Sequence, residues 1–205
     1  MLTVIDNGMG NIQSVVNAIS QLNEKCHISN HPSDIKWASA IIFPGVGSFP
    51  MAMSNLEKSS LLEVVKEQIY EKNTPFLGIC LGMQLLFESS EERRLTPGLN
   101  LLKGKVRRIQ YKRGLTVPHV GWNNVRIEKD NPLFANISTD AMFYYDHSYY
   151  ITSTDDGVFA TLNYGSEMVV GVWKENLFGV QFHPEKSQRN GLKLLRNFLD
   201  YAYKS

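Results

Sequence analysis

The run Thr74-Pro75-Phe76-Leu77-Gly78-Ile79-Cys80-Leu81-Gly82-Met83-Gln84 decides the fold. Its opening, Thr74 to Leu77, is short and apolar and reads as a buried strand. Leu81 to Glu88 consists of good helix formers, so the spacing predicts a strand-to-helix turn at Cys80. Glycines at 78 and 82 tolerate a sharp turn and leave room for a substrate to approach. A cysteine there lies at a helix N-terminus, where the dipole and unpaired N–H groups favour the thiolate. A buried structural cysteine in a tight βα turn fits the same letters, so the choice rests on finding a partner for it.

Gly179-Val180-Gln181-Phe182-His183-Pro184-Glu185 supplies that partner. It follows the strand-like Asn176-Leu177-Phe178, and residues i and i+2 of an extended segment share a face. His183 and Glu185 are therefore expected to project to the same side. A thiol nucleophile needs a base to take and return its proton, and an imidazole needs a carboxylate to fix its tautomer. A lone His-x-Glu is usually structural; combined with the cysteine turn it points to catalysis.

Around these two stretches the chain alternates. Leu2 to Asp6 reads as a buried strand, followed by a helix with Ile12, Val15, Val16, Ile19 and Leu22 at helical spacing. Cys26-His27-Ile28 fits a second strand, with Cys26 as a small core residue. Ser39 to Phe43 fits a third, ending at Pro44-Gly45-Val46-Gly47. Ser60-x-x-Glu63 predicts a capping box opening a helix that runs to about Tyr70. Such alternation implies an α/β fold: an open, mostly parallel sheet with helices on both faces. After Pro97, segments 105–110, 117–121, 141–146, 157–163, 167–173 and 177–182 read as strands, which makes the sheet mixed. A last helix, about 188–202, packs Leu192, Leu195, Phe198 and Leu199, with Ser187 as its expected N-cap. No repeat, low-complexity tract or linker appears, so a single domain over residues 1–205 is expected.

That length buries a core without staples, and two cysteines are too few for a disulfide framework, which suits a reducing compartment. Lys and Arg number 21 against 20 Asp and Glu, a balance that offers no attraction to nucleic acid or an anionic membrane. The local run Lys103-Gly104-Lys105-Val106-Arg107-Arg108 reads as a solvated strand edge. No apolar stretch approaches a membrane span, and Asp6 interrupts what a secretory leader would need, so a cytoplasmic location is expected. Five scattered histidines and the two cysteines lack metal-ligand spacing; no metal and no cofactor are expected.

Six stretches spread over nearly the whole chain carry a resemblance: Gly10-Asn11 with Ser14-Val15; Pro44 to Gly47; Gly78 to Gln84; Val117-Pro118-His119-Val120-Gly121-Trp122-Asn123; His147-Ser148-Tyr149; and Gln181 to Ser187. In this order they resemble the class I (triad-type) glutamine amidotransferases, most closely the glutaminase subunits of imidazole glycerol phosphate synthases. The resemblance implies a flavodoxin-like core and hydrolysis of glutamine through a thioester on Cys80, with His183 as acid–base and Glu185 orienting it. The oxyanion would need preorganised donors: the Leu81 N–H, by the turn geometry, and a second from the Pro44–Gly47 loop at Gly45 or Val46. The resemblance also implies that Gly47, Gln84, Glu92 and the main chain at Ser148 and Tyr149 hold glutamine. Glu92 suits an α-ammonium, although the charge run 88–94 around it ordinarily reads as solvated surface. Asn11, His119, Trp122, Tyr144 and Lys186 match the family's contact surface for a cyclase (β/α)8-barrel, the implied heterodimer partner. Asp146 departs from the pattern, which usually has an apolar residue there.

Other readings compete. A paralogous glutaminase feeding ammonia to a sugar-modifying enzyme of surface polysaccharide synthesis shares the motifs, and Asp146 leaves room for it. A non-catalytic interaction subunit is opposed by the intact cysteine, histidine and glutamate. An α/β-hydrolase would place its acid before its histidine in the chain, whereas Glu185 follows His183. The cysteine neighbourhood is also not papain-like.

Overall fold

The computed structural model describes residues 1–9, 12–153 and 155–204. Its first part alternates as β1 (Leu2–Ile5), α1 (Ile12–Gln21), β2 (His27–Ser29), α2 (Pro32–Lys36), β3 (Ala40–Gly45), α3 (Phe49–Lys58), α4 (Leu61–Tyr70) and β4 (Phe76–Cys80). Next come the one-turn α5 (Leu81–Gln84), β5 (Phe87–Ser90), β6 (Thr96–Pro97), β7 (Leu102–Arg108), β8 (His119–Asn124) and β9 (Arg126–Ile127). The chain ends with β10 (Met142–His147), β11 (Tyr149–Thr152), β12 (Val158–Asn163), β13 (Glu167–Lys174), β14 (Leu177–Val180) and α6 (Gln188–Lys204).

The main sheet runs β2-β1-β3-β4-β14-β13-β11-β7-β5-β6, with β12 and β9 branching from β13. From β2 to β14 every pairing is parallel, and from β14 through β7 every pairing is antiparallel. Period-two alternation explains the two covered faces of the parallel part. Val4, Ile42, Leu77 and Phe178 face the cluster completed by α1 and α6. Their neighbours Ile5, Ile41, Phe76 and Leu177 face the cluster completed by α3 and α4. β8 and β10 pair with each other as a separate antiparallel ribbon. The result is the expected mixed α/β architecture with helices on both faces.

Several local expectations need correction. The helix after Cys80 lasts only from Leu81 to Gln84, because Phe87 re-enters the sheet as the start of β5. Ser60 does not cap α4: its φ of 58° is left-handed, its side chain makes no cap bond, and its N–H closes α3 onto the Glu57 carbonyl at 3.1 Å. Ser187 precedes α6, but its hydroxyl donates to the His183 carbonyl at 2.6 Å and accepts from the Tyr144 N–H at 2.9 Å. The basic run is no sheet edge either. It forms β7, paired on both sides, with Val106 buried and its lysines and arginines exposed. α3 is a further helix, beyond those expected, in which Phe49, Ala52, Met53 and Leu56 stand at helical spacing and all four are buried.

Candidate active site

β3, β4 and β14 lie side by side, and their C-terminal ends bring the predicted catalytic letters together. Cys80 ends β4 and opens α5 with φ 53° and ψ −107°, a backbone state that L-residues rarely occupy. Such strain at a strand-to-helix turn lifts a side chain out of the sheet toward its C-terminal end. The two glycines are required by contact. A Cβ on Gly82 would lie 1.9 Å from the Phe43 carbonyl oxygen, and one on Gly78 would lie 2.7 Å from the backbone of Gly82. Gly82→Ala is therefore expected to destabilise the fold by about 3 kcal/mol, since backbone on backbone cannot yield as a side chain does. Denaturant unfolding of the variant measures this.

His183 follows β14 in extended backbone, but Glu185 sits within a 3-10 turn, Pro184–Lys186, and not on a continued strand. The turn folds the carboxylate back, so that Glu185 Oε1 accepts from His183 Nδ1 at 2.7 Å, with both side chains nearly sealed from solvent. Gly191 of α6 permits this turn to pack closely, since a Cβ there would lie 1.8 Å from the Pro184 carbonyl. The other ring nitrogen, Nε2, is buried with no hydrogen-bond partner. Burial alone would lower the imidazole's pKa. The charge of Cys80 and its hydrogen-bonding interaction with the ring, then the hydrogen bond and charge of Glu185, outweigh it and raise the group to about 10. A ring held protonated by its neighbours, with its second N–H turned toward Cys80 and in no close hydrogen bond, is the arrangement a proton donor to a leaving group needs.

In front of Cys80 lies a cavity of about 280 Å³. Its walls include Val46, Gly47, Leu81, Gln84, Glu92, Ser148 and Tyr149, all residues singled out from sequence. Glu92 is no free surface charge: its Oε2 accepts the Phe49 N–H at 2.7 Å and is fixed on the wall. Pro44 and Gly45 continue β3 and are not loop, with Gly45 opposite Cys80 in the β3–β4 register. Gly47, at φ 106°, takes up the turn that follows. Pro118, Asp146 and His147 also line the cavity, a placement their sequence motifs do not announce. Among the described residues, no group of three or more His, Cys, Asp or Glu could hold a metal ion. No helix among them is long and apolar enough to cross a membrane.

The β8–β10 ribbon carries the expected contact residues, with one correction. His119 is only 2% exposed, stacked between Tyr145 and Tyr164 on the ribbon's inner side, so its side chain is not part of an outer surface. Trp122 and Tyr144 are cross-strand partners with ring centroids 5.9 Å apart, and Lys186 Nζ stands 5.5 Å from the Tyr144 centroid. Val120, Trp122 and Met142 are 54%, 40% and 44% exposed, so an apolar strip faces outward. Asp146 Oδ2 lies 3.7 Å from Lys186 Nζ, joining the strip to the cavity wall. Asn11 lies outside the described residues.

The family model "Glutamine amidotransferase class-I" matches residues 3–202. A Vibrio vulnificus (strain YJ016) protein named imidazole glycerol phosphate synthase subunit HisH 2 is 47% identical over 202 residues, 98% of this chain and 94% of its own. A Moorella thermoacetica protein named imidazole glycerol phosphate synthase subunit HisH is 46% identical over 198 residues, 96% of this chain and 93% of its own. Among solved structures, one described as a glutamine amidotransferase superposes with a TM-score of 0.77 at 18% identity, covering 98% of both chains. The structure of PurLQS from Thermotoga maritima gives 0.73 at 21% identity, covering 98% of this chain and 97% of that one. At such identities the superpositions speak for the fold alone.

Proposed function

The chain belongs to the class I glutamine amidotransferase family, and we propose that it is the glutaminase subunit of an imidazole glycerol phosphate synthase. The observation that carries the chemistry is the strained Cys80 turn set beside a Glu185-bound His183 whose Nε2 is unspent. Residues 1–205 form one glutaminase domain in this reading, with two cores sharing one sheet.

Cys80 thiolate attacks the carboxamide carbon of glutamine, forming the S–C bond while the carbonyl π pair moves to oxygen. The oxyanion is held by the Leu81 N–H and an N–H of Gly45 or Val46. Collapse breaks the C–N bond as His183 protonates the leaving nitrogen, so ammonia departs and a thioester remains. Water then gives its proton to His183 as its oxygen attacks the thioester carbon. The S–C bond breaks, leaving glutamate and the original thiolate–imidazolium pair. Glu185 holds the Nδ1–H throughout. Glu92 takes the α-ammonium as a carboxylate should. Gly47, Gln84 and the main chain at Ser148 and Tyr149 shape the rest of the site.

The partner is a cyclase (β/α)8-barrel seated on the outer strip of Val120, Trp122, Met142, Tyr144 and Lys186. Apolar and aromatic exposure of this kind is what a protein interface covers. Mixing the chain with the cyclase of the same organism and its ribonucleotide ligand is expected to raise glutamate release at least about tenfold, because contact residues adjoin the cavity wall at Asp146. Release unchanged by the cyclase, with Cys80 still labelled by an electrophilic glutamine analogue, would move the assignment to the sugar-modifying partner. Asp146 favours that second reading only weakly, since its charge is met within the chain by Lys186.

A further inference from the structure

A second line of hydrogen bonds reaches Cys80 without passing through His183 or Glu185, and its direction is forced. It starts at the Tyr149 carbonyl, which can only accept. His147 Nδ1 lies 2.8 Å from that oxygen and must donate to it, which leaves Nε2 as the acceptor of a neutral ring. His119 Nδ1 donates to that Nε2 at 3.0 Å, and His119 Nε2 accepts from Asn123 Nδ2 at 3.1 Å. Burial keeps both imidazoles neutral: His147 is pushed down to about 3 and His119 to about 4.

On its other side the same carbonyl accepts from Gln84 Nε2 at 3.0 Å, which fixes which end of the Gln84 amide faces it. The second hydrogen of that NH₂ goes to Gln181 Oε1, also at 3.0 Å. Gln181 is 0% exposed and its oxygen is thereby taken, so its NH₂ faces Cys80 Sγ at 3.5 Å. Flipping either amide would set oxygen against oxygen, or nitrogen against nitrogen, in a buried place.

We propose that Gln181 is a further catalytic residue, whose side-chain N–H stabilises the Cys80 thiolate and holds it at its attack angle, with Gln84 locking the amide in place. The assignment rests on Cys80 being the nucleophile. An N–H bond to sulfur is stronger to the thiolate than to the uncharged thioester. It therefore assists most when sulfur leaves, in the hydrolysis of the thioester. His183 supplies the charge beside Cys80, so the sulfur lies between an imidazolium and a neutral donor.

The test uses the full chain with its activating partner and two variants. Gln181→Met keeps the volume and removes the donor. Gln181→Glu keeps the acceptor for Gln84 and carries no N–H, which serves if the methionine variant does not fold. In both, kcat is expected to fall at least about tenfold with KM within about twofold, and thioester to accumulate during turnover. Iodoacetamide is expected to label Cys80 several-fold more slowly at neutral pH, because the thiolate has lost a donor. A folded variant whose labelling rate and kcat match those of the native chain, or whose kcat falls only in step with Tm, overturns the proposal. Failure of the underlying assignment looks different: Cys80→Ala would retain glutamate release.

Discussion

Cys80→Ala is expected to abolish glutamate release, a loss of at least about 10⁴-fold, while the partner's use of free ammonia persists. No other group can take over the attack. His183 has one nitrogen committed to Glu185, and Cys26, the only other cysteine, is half-buried just before β2, where burial pushes its thiol up. The fold should tolerate the change. Cys80 is small, the strained φ of 53° suits alanine as poorly as cysteine, and the contacts that seat the turn belong to Gly78 and Gly82. Unchanged thermal unfolding with lost glutaminase activity separates chemistry from folding. Loss of both glutamine- and ammonia-dependent synthesis in the assembled complex would instead make Cys80 structural.

The candidate catalytic letters stand out in the sequence because each sits where local grammar is strict. A cysteine between two glycines after an apolar strand admits few backbones, and an intervening proline keeps His183 and Glu185 at short range whatever the turn. What stayed hidden depends on neighbours distant in sequence. Gln181 reads as one more polar residue at a strand end until Gln84, 97 positions away, is seen to orient it. His119 looks like a surface residue because its ribbon neighbours Val120 and Trp122 are exposed; only pairing with His147 across the register turns it inward. The helix expected over 81–88 failed for the same reason. Leu85 and Leu86 are good helix formers, but tertiary pairing of Phe87 with β7 outweighs a propensity worth only tenths of a kcal/mol per residue.

Glu185→Gln is expected to lower kcat by about 10³-fold, and its pH dependence discriminates between orienting the imidazole and merely filling space. Glutamine fits the volume, but it removes the charge and can place N–H against Nδ1, which favours the wrong tautomer. Turned the other way, it buries its NH₂ where Glu185 Oε2 already lacks a partner. His183 stands at about 10 in the folded chain against an ordinary 6.5; burial opposes this shift, and Cys80 and then Glu185 produce it. A group whose folded pKa is raised contributes stability that is complete below the unfolded value and is lost as pH climbs through the folded one. The gap in stability between native chain and variant should therefore be widest below about pH 6.5 and close as pH approaches 10. Its size, shared with Cys80, is on the order of 1–3 kcal/mol. Urea midpoints measured across that range test the sign. A gap that widens with rising pH would mean that Glu185 does not hold a protonated His183, and the proposed proton donor would lose its support.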